Sequence, residues 1–153
     1  MESSIFKTEC LAYLAKLSNS FSEEIYIAIE SLAFDLKETW LNGNQVFICG
    51  NGGSAANAIH IANDLIYGVG ACGLGEKIPG IKVEALSSNP GVLTCLANDT
   101  GYENIFSYQL DVKANQNDLL LVLSGSGNSA NIINALLKAK EKKLKSHAII
   151  GFD

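Results

Sequence analysis

Apolar residues along the chain form short runs that predict β-strands, with helical spacings between them. The predicted strands lie at 46–49, 82–86, 119–123 and 148–150. The run 119–123 is apolar throughout, which is typical of a strand buried on both faces. Apolar side chains at helical spacing follow each of the first three strands. Strands that alternate with helices in this way predict an α/β fold with a parallel sheet.

Two more helices are predicted before the first strand. One apolar stripe at helical spacing covers residues 3–17. After a serine-rich break, a second stripe follows, with Ser20 or Ser22 as its cap and Gly43 at its end. Such a pair of helices either packs against a partner subunit or covers one face of the sheet. The pattern leaves both arrangements open.

Glycine and turn-forming residues predict the connections between these elements. The glycine-rich stretch 67–79 is predicted to be a loop. A helix is predicted over 90–96, with Asn89 or Ser88 as its cap and a proline in its first turn. The run 98–101 then predicts a turn.

Length and composition are those of one ordinary globular domain. The 153 residues are 48% hydrophobic and 18% charged. The net charge of -5 argues against a general binder of nucleic acid or of anionic membranes. No secretory leader is recognisable, and no apolar run approaches the roughly 18 residues of a membrane span. We therefore expect a cytoplasmic protein.

The cysteines show no metal-binding or redox spacing. None of Cys10, Cys49, Cys72 and Cys95 belongs to a Cys-x-x-Cys motif, and two of them lie in apolar runs. This usage predicts buried free thiols in a reducing cytoplasm.

The first candidate site follows the first predicted strand. A glycine-rich turn at 50–53 is followed by a helix that Ser54 opens. Glycines let the backbone approach a ligand closely, and a helix N-terminus attracts an anion. His60 and Asp64 lie four residues apart on that helix and so share one face. These residues predict a phosphate cradle with a His/Asp pair above it.

A second glycine loop, at 124–129, repeats this arrangement. Residues 50–55 read G-x-G-x-S-A, as do residues 125–130, and both satisfy the loose dinucleotide pattern G-x-G-x-x-A. A nicotinamide site also needs an acidic residue after the second strand, where this chain has serines and an asparagine at 87–89, so an oxidoreductase is disfavoured. Hydroxyls and amides suit a phosphate and a polyol. In a sheet of order 2-1-3-4, both loops would line one crevice.

The segment GNGGSA with a helical histidine after it, together with SGSGNSAN, resembles the SIS (sugar isomerase) domain family, and within it the phosphoheptose isomerase branch. The likeness runs from the second helix to Asp153 and includes LANDTGYENIF at 96–106. It implies a three-layer α/β/α sandwich with a parallel flavodoxin-like sheet, preceded by N-terminal helices. It also implies a single SIS domain over 1–153, with helices in 1–41 and the core in 45–153, assembled as a homotetramer with active sites at subunit contacts.

The resemblance also implies roles for individual residues. The serine loop matches positions that hold the phosphate, and other matched positions touch the rest of the sugar. His60 matches a zinc ligand, and Asp64 matches a ligand that also serves as the proton-transfer base, so zinc is the implied cofactor. The implied substrate-binding residues are Asn51, Gly52, Gly53, Ser54, Asn98, Asp99, Ser124, Gly125, Ser126 and Ser129.

The chain departs from the family pattern in two places. The isomerases usually have Glu where this chain has Asp64, and the shorter side chain draws the carboxylate back by about 1 Å. The family also continues for another strand and helix, in which a Gln and a second His complete the metal site, whereas this sequence stops at Asp153.

The implied function is an aldose–ketose isomerase of carbohydrate metabolism and heptose biosynthesis. It would convert sedoheptulose 7-phosphate to glycero-manno-heptose 7-phosphate, with no nucleic-acid or membrane partner. The alternative is a SIS protein that binds a phosphosugar, or docks another protein, without turnover. Each of the two residues also has a purely structural interpretation, His60 as a satisfied, partly buried histidine and Asp64 as a structural carboxylate paired with a neighbouring subunit.

Overall fold

A computed structural model of the chain describes residues 2–71 and 78–151, with side chains for 5–70 and 78–151. The chain divides into two compact units, residues 1–34 and residues 35–153. Within the described residues, no helix is both long enough and apolar enough to cross a membrane.

The first unit contains the two predicted N-terminal helices. Helix α1 spans Glu2–Asn19, and helix α2 spans Glu23–Leu41 and continues into the second unit. Every described side chain from residue 5 to residue 31 is exposed. The apolar stripes of the sequence are therefore present on these helices but are not buried. The prediction that they pack against a partner or against the sheet stays open.

The second unit is built on a four-stranded sheet of order β2-β1-β3-β4, in which every neighbouring pair is parallel. This is the flavodoxin-like order that the family resemblance implies. The strands are β1 (Gln45–Gly50), β2 (Lys82–Ala85), β3 (Leu119–Ser124) and β4 (Lys145–Ile150). All four predicted strands are confirmed, and β4 begins three residues earlier than its apolar run.

Helices connect the strands and cover both faces of the sheet. They are α3 (Gly53–Asn63), α4 (Val69–Ala71), α5 (Pro90–Thr100), α6 (Ser107–Lys113) and α7 (Ala130–Glu141). A π-helical turn at Asp64–Gly68 joins α3 to α4, and a 3-10 turn at Tyr102–Asn104 follows α5. Asn89 caps α5 by accepting from the Val92 amide at 3.1 Å, which confirms one of the two predicted caps.

Alternate side chains of the central strands form two layers of core. Phe47 and Cys49 of β1 are buried with Leu110 of α6 and with Ala135 of α7. On the other face, α3 packs against β1, β2 and β3 and buries Ala58. Successive side chains of a strand point to opposite faces of the sheet, so neighbouring residues of β1 contact different helices. The architecture is the expected α/β/α sandwich.

The prediction of a loop over 67–79 is wrong at its start, because the residues up to Ala71 are helical. Residues 72–77 lie outside the described part of the chain. A Cβ atom on Gly80 would lie 1.7 Å from the carbonyl oxygen of Ile66, so the returning chain lies directly on the helix. The amide of Ile81 then donates to the Leu65 carbonyl at 2.9 Å. The glycine at position 80 therefore allows the backbone of the returning chain to pack closely against the helix.

Two other expectations need correction. Helix α5 continues four residues beyond Leu96, because Thr100 remains in the hydrogen-bonded turn and Gly101 is the first residue with a positive φ, 92°. Among the cysteines, Cys49 is buried, and burial raises the pKa of its thiol to about 12. Cys10 and Cys95 are free thiols as predicted, but both are exposed, and Cys72 lies outside the described residues.

Candidate active site

The sheet brings the two glycine loops together. The register pairs Gly50 at the end of β1 with Leu123 near the end of β3, so the loops that follow leave the same edge of the sheet. A Cβ atom on Gly50 would lie 2.8 Å from the Ser54 Cβ and 2.9 Å from the Leu123 carbonyl oxygen. Only glycine fits there, since α3 begins directly above the ends of both strands.

The serine loop has hydroxyl groups oriented by its own backbone. Ser124, which is 8% exposed, accepts a hydrogen bond from the Gly127 amide at 3.1 Å. Ser126 accepts from the Asn128 amide at 3.3 Å. In the described part of the chain, neither hydroxyl donates to a protein atom, so both hydrogens are available to an acceptor such as a phosphate oxygen.

A cavity of about 360 Å³ lies between α3 and the ends of β3 and β4. Four of the predicted site residues line it, namely Ser54, His60, Ser124 and Gly125. None of the lysines that the structure describes lines it, and the eleven basic residues of the chain are all lysines. A bound anion would therefore meet neutral donors and the start of α3. The remaining lining residues are Asn57, Ile61, Leu123, Ile149, Ile150 and Gly151.

His60 and Asp64 form an exposed pair beside this cavity. The His60 Nε2 lies 3.5 Å from the Asp64 Oδ2, and the two side chains are 77% and 60% exposed. His60 lines the cavity and Asp64 does not. Asp64 is also the first residue of the π-helical turn, where its carbonyl accepts from the Val69 amide. Single π-helical turns are frequent at functional sites, and the sequence pattern did not predict this one.

The described residues do not complete a zinc site. No group of three or more His, Cys, Asp or Glu side chains in that part of the chain is arranged to hold a metal ion. His60 and Asp64 supply two donors, whereas catalytic zinc takes three protein ligands. Zinc therefore stays a prediction.

Several predicted substrate residues lie away from the cavity lining. Gly52 and Gly53 form the turn into α3. Asn98 and Asp99 are exposed on the last turn of α5, where the Asn98 Nδ2 donates to the Asp99 Oδ1 at 2.7 Å. The Cys95 thiol donates to Asp99, and this hydrogen bond raises the pKa of the thiol. Ser126 and Ser129 belong to the serine loop without lining the cavity. The roles assigned to these residues stay predictions.

Asn51 makes contacts that sequence reasoning missed. Its side-chain amide pairs with the amide of Asn131 and accepts from the Tyr102 hydroxyl. Both partners, Asn131 and Tyr102, lie in segments that carry the family resemblance. The sequence therefore pointed to these residues but not to the hydrogen bonds between them. Asn57 was also missed, although it precedes His60 by three residues and so shares its helix face.

Known proteins resemble this chain over nearly its full length. The model of the SIS domain family matches residues 9–151. The phosphoheptose isomerase of Chlorobaculum parvum is 38% identical over 145 residues, which cover 95% of this chain and 68% of that protein. The phosphoheptose isomerase of Aliarcobacter butzleri is 39% identical over 158 residues, covering 100% of this chain and 77% of that protein.

The solved structure of a phosphoheptose isomerase from Neisseria gonorrhoeae superposes with a TM-score of 0.78 and 30% identity. The superposition covers 97% of this chain and 76% of that one. The sheet order, the two glycine loops and these similarities agree. The chain belongs to the SIS domain family.

Proposed function

We propose that this chain is a phosphosugar aldose–ketose isomerase that converts sedoheptulose 7-phosphate to glycero-manno-heptose 7-phosphate. The observation that carries the proposal is one cavity with a serine loop at one end and His60 on its wall. The named relatives, which are phosphoheptose isomerases, support the choice of substrate.

The serine loop is proposed to hold the phosphate. Ser124 and Ser126 donate their free hydroxyl hydrogens to phosphate oxygens, while backbone amides keep both serines oriented. Hydrogen bonds to a charged group are each worth about 1.5–3 kcal/mol. This binding energy, remote from the reacting carbons, then positions the sugar chain along the cavity.

The His60/Asp64 pair is proposed to move the proton. A base removes a proton from C1 of the ketose, an enediol forms, and a proton returns at C2 to give the aldose. Asp64 is the proposed base. His60 lies on the cavity wall, and its Nε2 is 3.5 Å from the Asp64 carboxylate.

We also propose that the protein is a homo-oligomer, with the tetramer as the expected form. The first unit carries large apolar side chains on α1 and α2, and none of its described side chains is buried. A two-helix unit without a core needs another surface to cover it. An oligomer would also agree with active sites at subunit contacts, where Asn98 and Asp99 of one copy would serve another.

The free thiols of the described cysteines support a cytoplasmic location.

The test is isomerisation in heavy water. The parent protein, incubated with sedoheptulose 7-phosphate, is expected to form aldose that carries deuterium at C2, because the enediol takes its proton from the exchanged base. Asp64→Asn keeps the size of the side chain but removes the basic carboxylate. It should lose turnover and deuterium uptake while calorimetry still detects substrate binding. Asp111→Asn, which changes an exposed carboxylate paired with Lys138, should behave like the parent.

The alternative function is a phosphosugar-binding or protein-docking regulator. The exposure of His60 and Asp64, 77% and 60%, favours it, since catalytic pairs are usually shielded from water. Binding of sedoheptulose 7-phosphate with neither turnover nor exchange, both with added zinc and with a chelator, would support the regulator and contradict the isomerase.

A further inference from the structure

The side chain of Asn51 joins the two glycine loops through a reciprocal pair of hydrogen bonds. The Asn51 Nδ2 donates to the Asn131 Oδ1 at 2.9 Å, and the Asn131 Nδ2 donates to the Asn51 Oδ1 at 2.8 Å. Asn51 directly follows β1, and Asn131 is the second residue of α7, the helix that follows the serine loop. The pair therefore bridges the loops that follow two neighbouring strands.

A third hydrogen bond connects Tyr102 to this pair. The Tyr102 hydroxyl donates to the Asn51 Oδ1 at 3.1 Å. The Asn51 Oδ1 therefore accepts two hydrogen bonds, one from Asn131 and one from Tyr102. Asn51 thus links three elements of the fold, namely the first glycine loop, α7 and the 3-10 turn.

Burial makes the pair costly to disturb. Asn131 is 2% exposed, so an amide there that lost its hydrogen-bond partner could not bond to water instead, and its burial would cost free energy. The backbone of Asn51 contributes as well, since its carbonyl accepts from the Ser54 amide at 3.0 Å and so holds the first turn of α3. A shift of Asn131 would therefore move Asn51, and through this backbone hydrogen bond it would also move Ser54, which lines the cavity.

We propose that Asn131 and Tyr102 are positioning residues that hold the first glycine loop, 50–54, in register with the serine loop, 124–129. In this arrangement the two loops bind one phosphosugar. The inference rests on the proposed function for its ligand. The link between the loops can be tested without one.

The ligand-free test is amide hydrogen exchange. Asn131→Ala should speed exchange in both glycine loops by about tenfold or more, because it removes both bonds of the pair. Asn134→Ala is the matched control. It removes an asparagine amide from the same helix, one that donates to the Glu103 carbonyl at 3.0 Å and does not reach Asn51. Equal exchange in the two variants would overturn the proposal.

The ligand test uses Asn131→Asp. An ionised carboxylate there still accepts from the Asn51 Nδ2 but cannot donate to its Oδ1. A protonated carboxyl can do both. The variant should bind sedoheptulose 7-phosphate about tenfold more weakly than the parent at pH 8. It should recover toward the parent at pH 5, because burial at this position, which is 2% exposed in the parent, raises the pKa of the new carboxyl and favours its protonated form. The affinity of the parent is also measured at pH 8 and at pH 5. The change that titration of the ligand's phosphate group causes can then be subtracted.

The outcomes separate the two proposals. If the parent binds the sugar phosphate and the affinity of folded Asn131→Asp does not depend on pH relative to the parent, positioning is contradicted and the pair only stabilises the fold. If the parent does not bind it, the proposed function fails, and hydrogen exchange alone decides whether the pair links the loops. Tyr102→Phe, which removes one bond of the three, should give a smaller change than Asn131→Ala in both measurements.

Discussion

At the scale of the residue, the serine loop orients its own hydroxyl groups through backbone hydrogen bonds. Ser124 and Ser126 accept from amides of their own loop, and this leaves each hydroxyl hydrogen for a ligand. The loop orients its donors before a ligand arrives, so little side-chain freedom is lost on binding. Since no lysine in the described ranges, 5–70 and 78–151, lines the cavity, the hydroxyls are expected to carry much of the phosphate affinity.

Replacing both serines should therefore weaken binding strongly. The double variant Ser124→Ala, Ser126→Ala is expected to bind sedoheptulose 7-phosphate at least tenfold more weakly by calorimetry, because two hydrogen bonds to a charged group are lost, each worth about 1.5–3 kcal/mol. Ser146→Ala, at an exposed position on β4, is the control and should bind like the parent. Unchanged affinity in a folded double variant would show that the ligand does not bind at this loop.

At the scale of the element, the end of α2 is tied to the edge strand β4 by charged groups. The Asp35 carboxylate accepts from the Lys145 Nζ at 2.7 Å and lies 2.8 Å from the His147 Nε2. Glu38 contacts Lys145 as well, at 3.0 Å. Burial acts to raise the pKa of Asp35, but the hydrogen bonds from Lys145 and His147 outweigh it and hold that pKa below its usual value.

This lowered pKa predicts a pH-dependent contribution to stability. A carboxyl whose pKa is lower in the folded state stabilises the fold above its unfolded pKa, about 3.9. That contribution is lost as the pH falls through the lower, folded value. In urea denaturation at pH 7, Asp35→Asn should reduce the free energy of unfolding by about 1–2 kcal/mol. The difference from the parent should shrink below about pH 4.

The control for this prediction is Asp111→Asn, which breaks an exposed ion pair with Lys138. It should change the free energy of unfolding by less than about 1 kcal/mol. A difference for Asp35→Asn that stays constant from neutral pH down to pH 2 would show that the carboxylate charge adds nothing to the attachment of α2 to β4.

At the scale of the whole molecule, the first unit carries large apolar side chains, and none of its side chains from residue 5 onward is buried. Phe6, Tyr13 and Leu14 are each more than half exposed, and they line a groove of about 450 Å³ on α1 together with Glu9 and Cys10. Most of the stability of helices in proteins comes from packing of an apolar face against other elements. A second copy of the chain offers the same apolar surface, which suits a symmetric contact between identical units.

Light scattering at micromolar concentration is therefore expected to report an oligomer. Leu14→Asp should lower the average mass, because it places a charge in the groove. Val112→Asp is the matched control, since Val112 is 72% exposed on the chain but lies on another unit. A parent protein that is a monomer at this concentration would contradict both the assembly and a site shared between subunits.

Local patterns in the sequence determined most of the elements of this fold. Strands β1 and β3 follow from short apolar runs, and the glycine loops after them follow from turn chemistry, because both signals reside in neighbouring residues. The parallel sheet follows from the alternation of strands and helices. The residue types of the site, with serines in one loop and a His/Asp pair on the adjoining helix, could also be predicted.

Only the tertiary structure decided how these residues meet. Asn51 and Asn131 are 80 residues apart, and no local pattern specifies that their amides pair. The placement of His60 on the cavity wall, with Asp64 off it, depends on where α3 lies over the ends of β3 and β4. The chain is helical through residue 71, where a loop was predicted, and the returning chain packs against this helix at Gly80. Periodicity reports which face of an element is apolar, whereas the partner of that face is set by contacts between residues far apart in the chain.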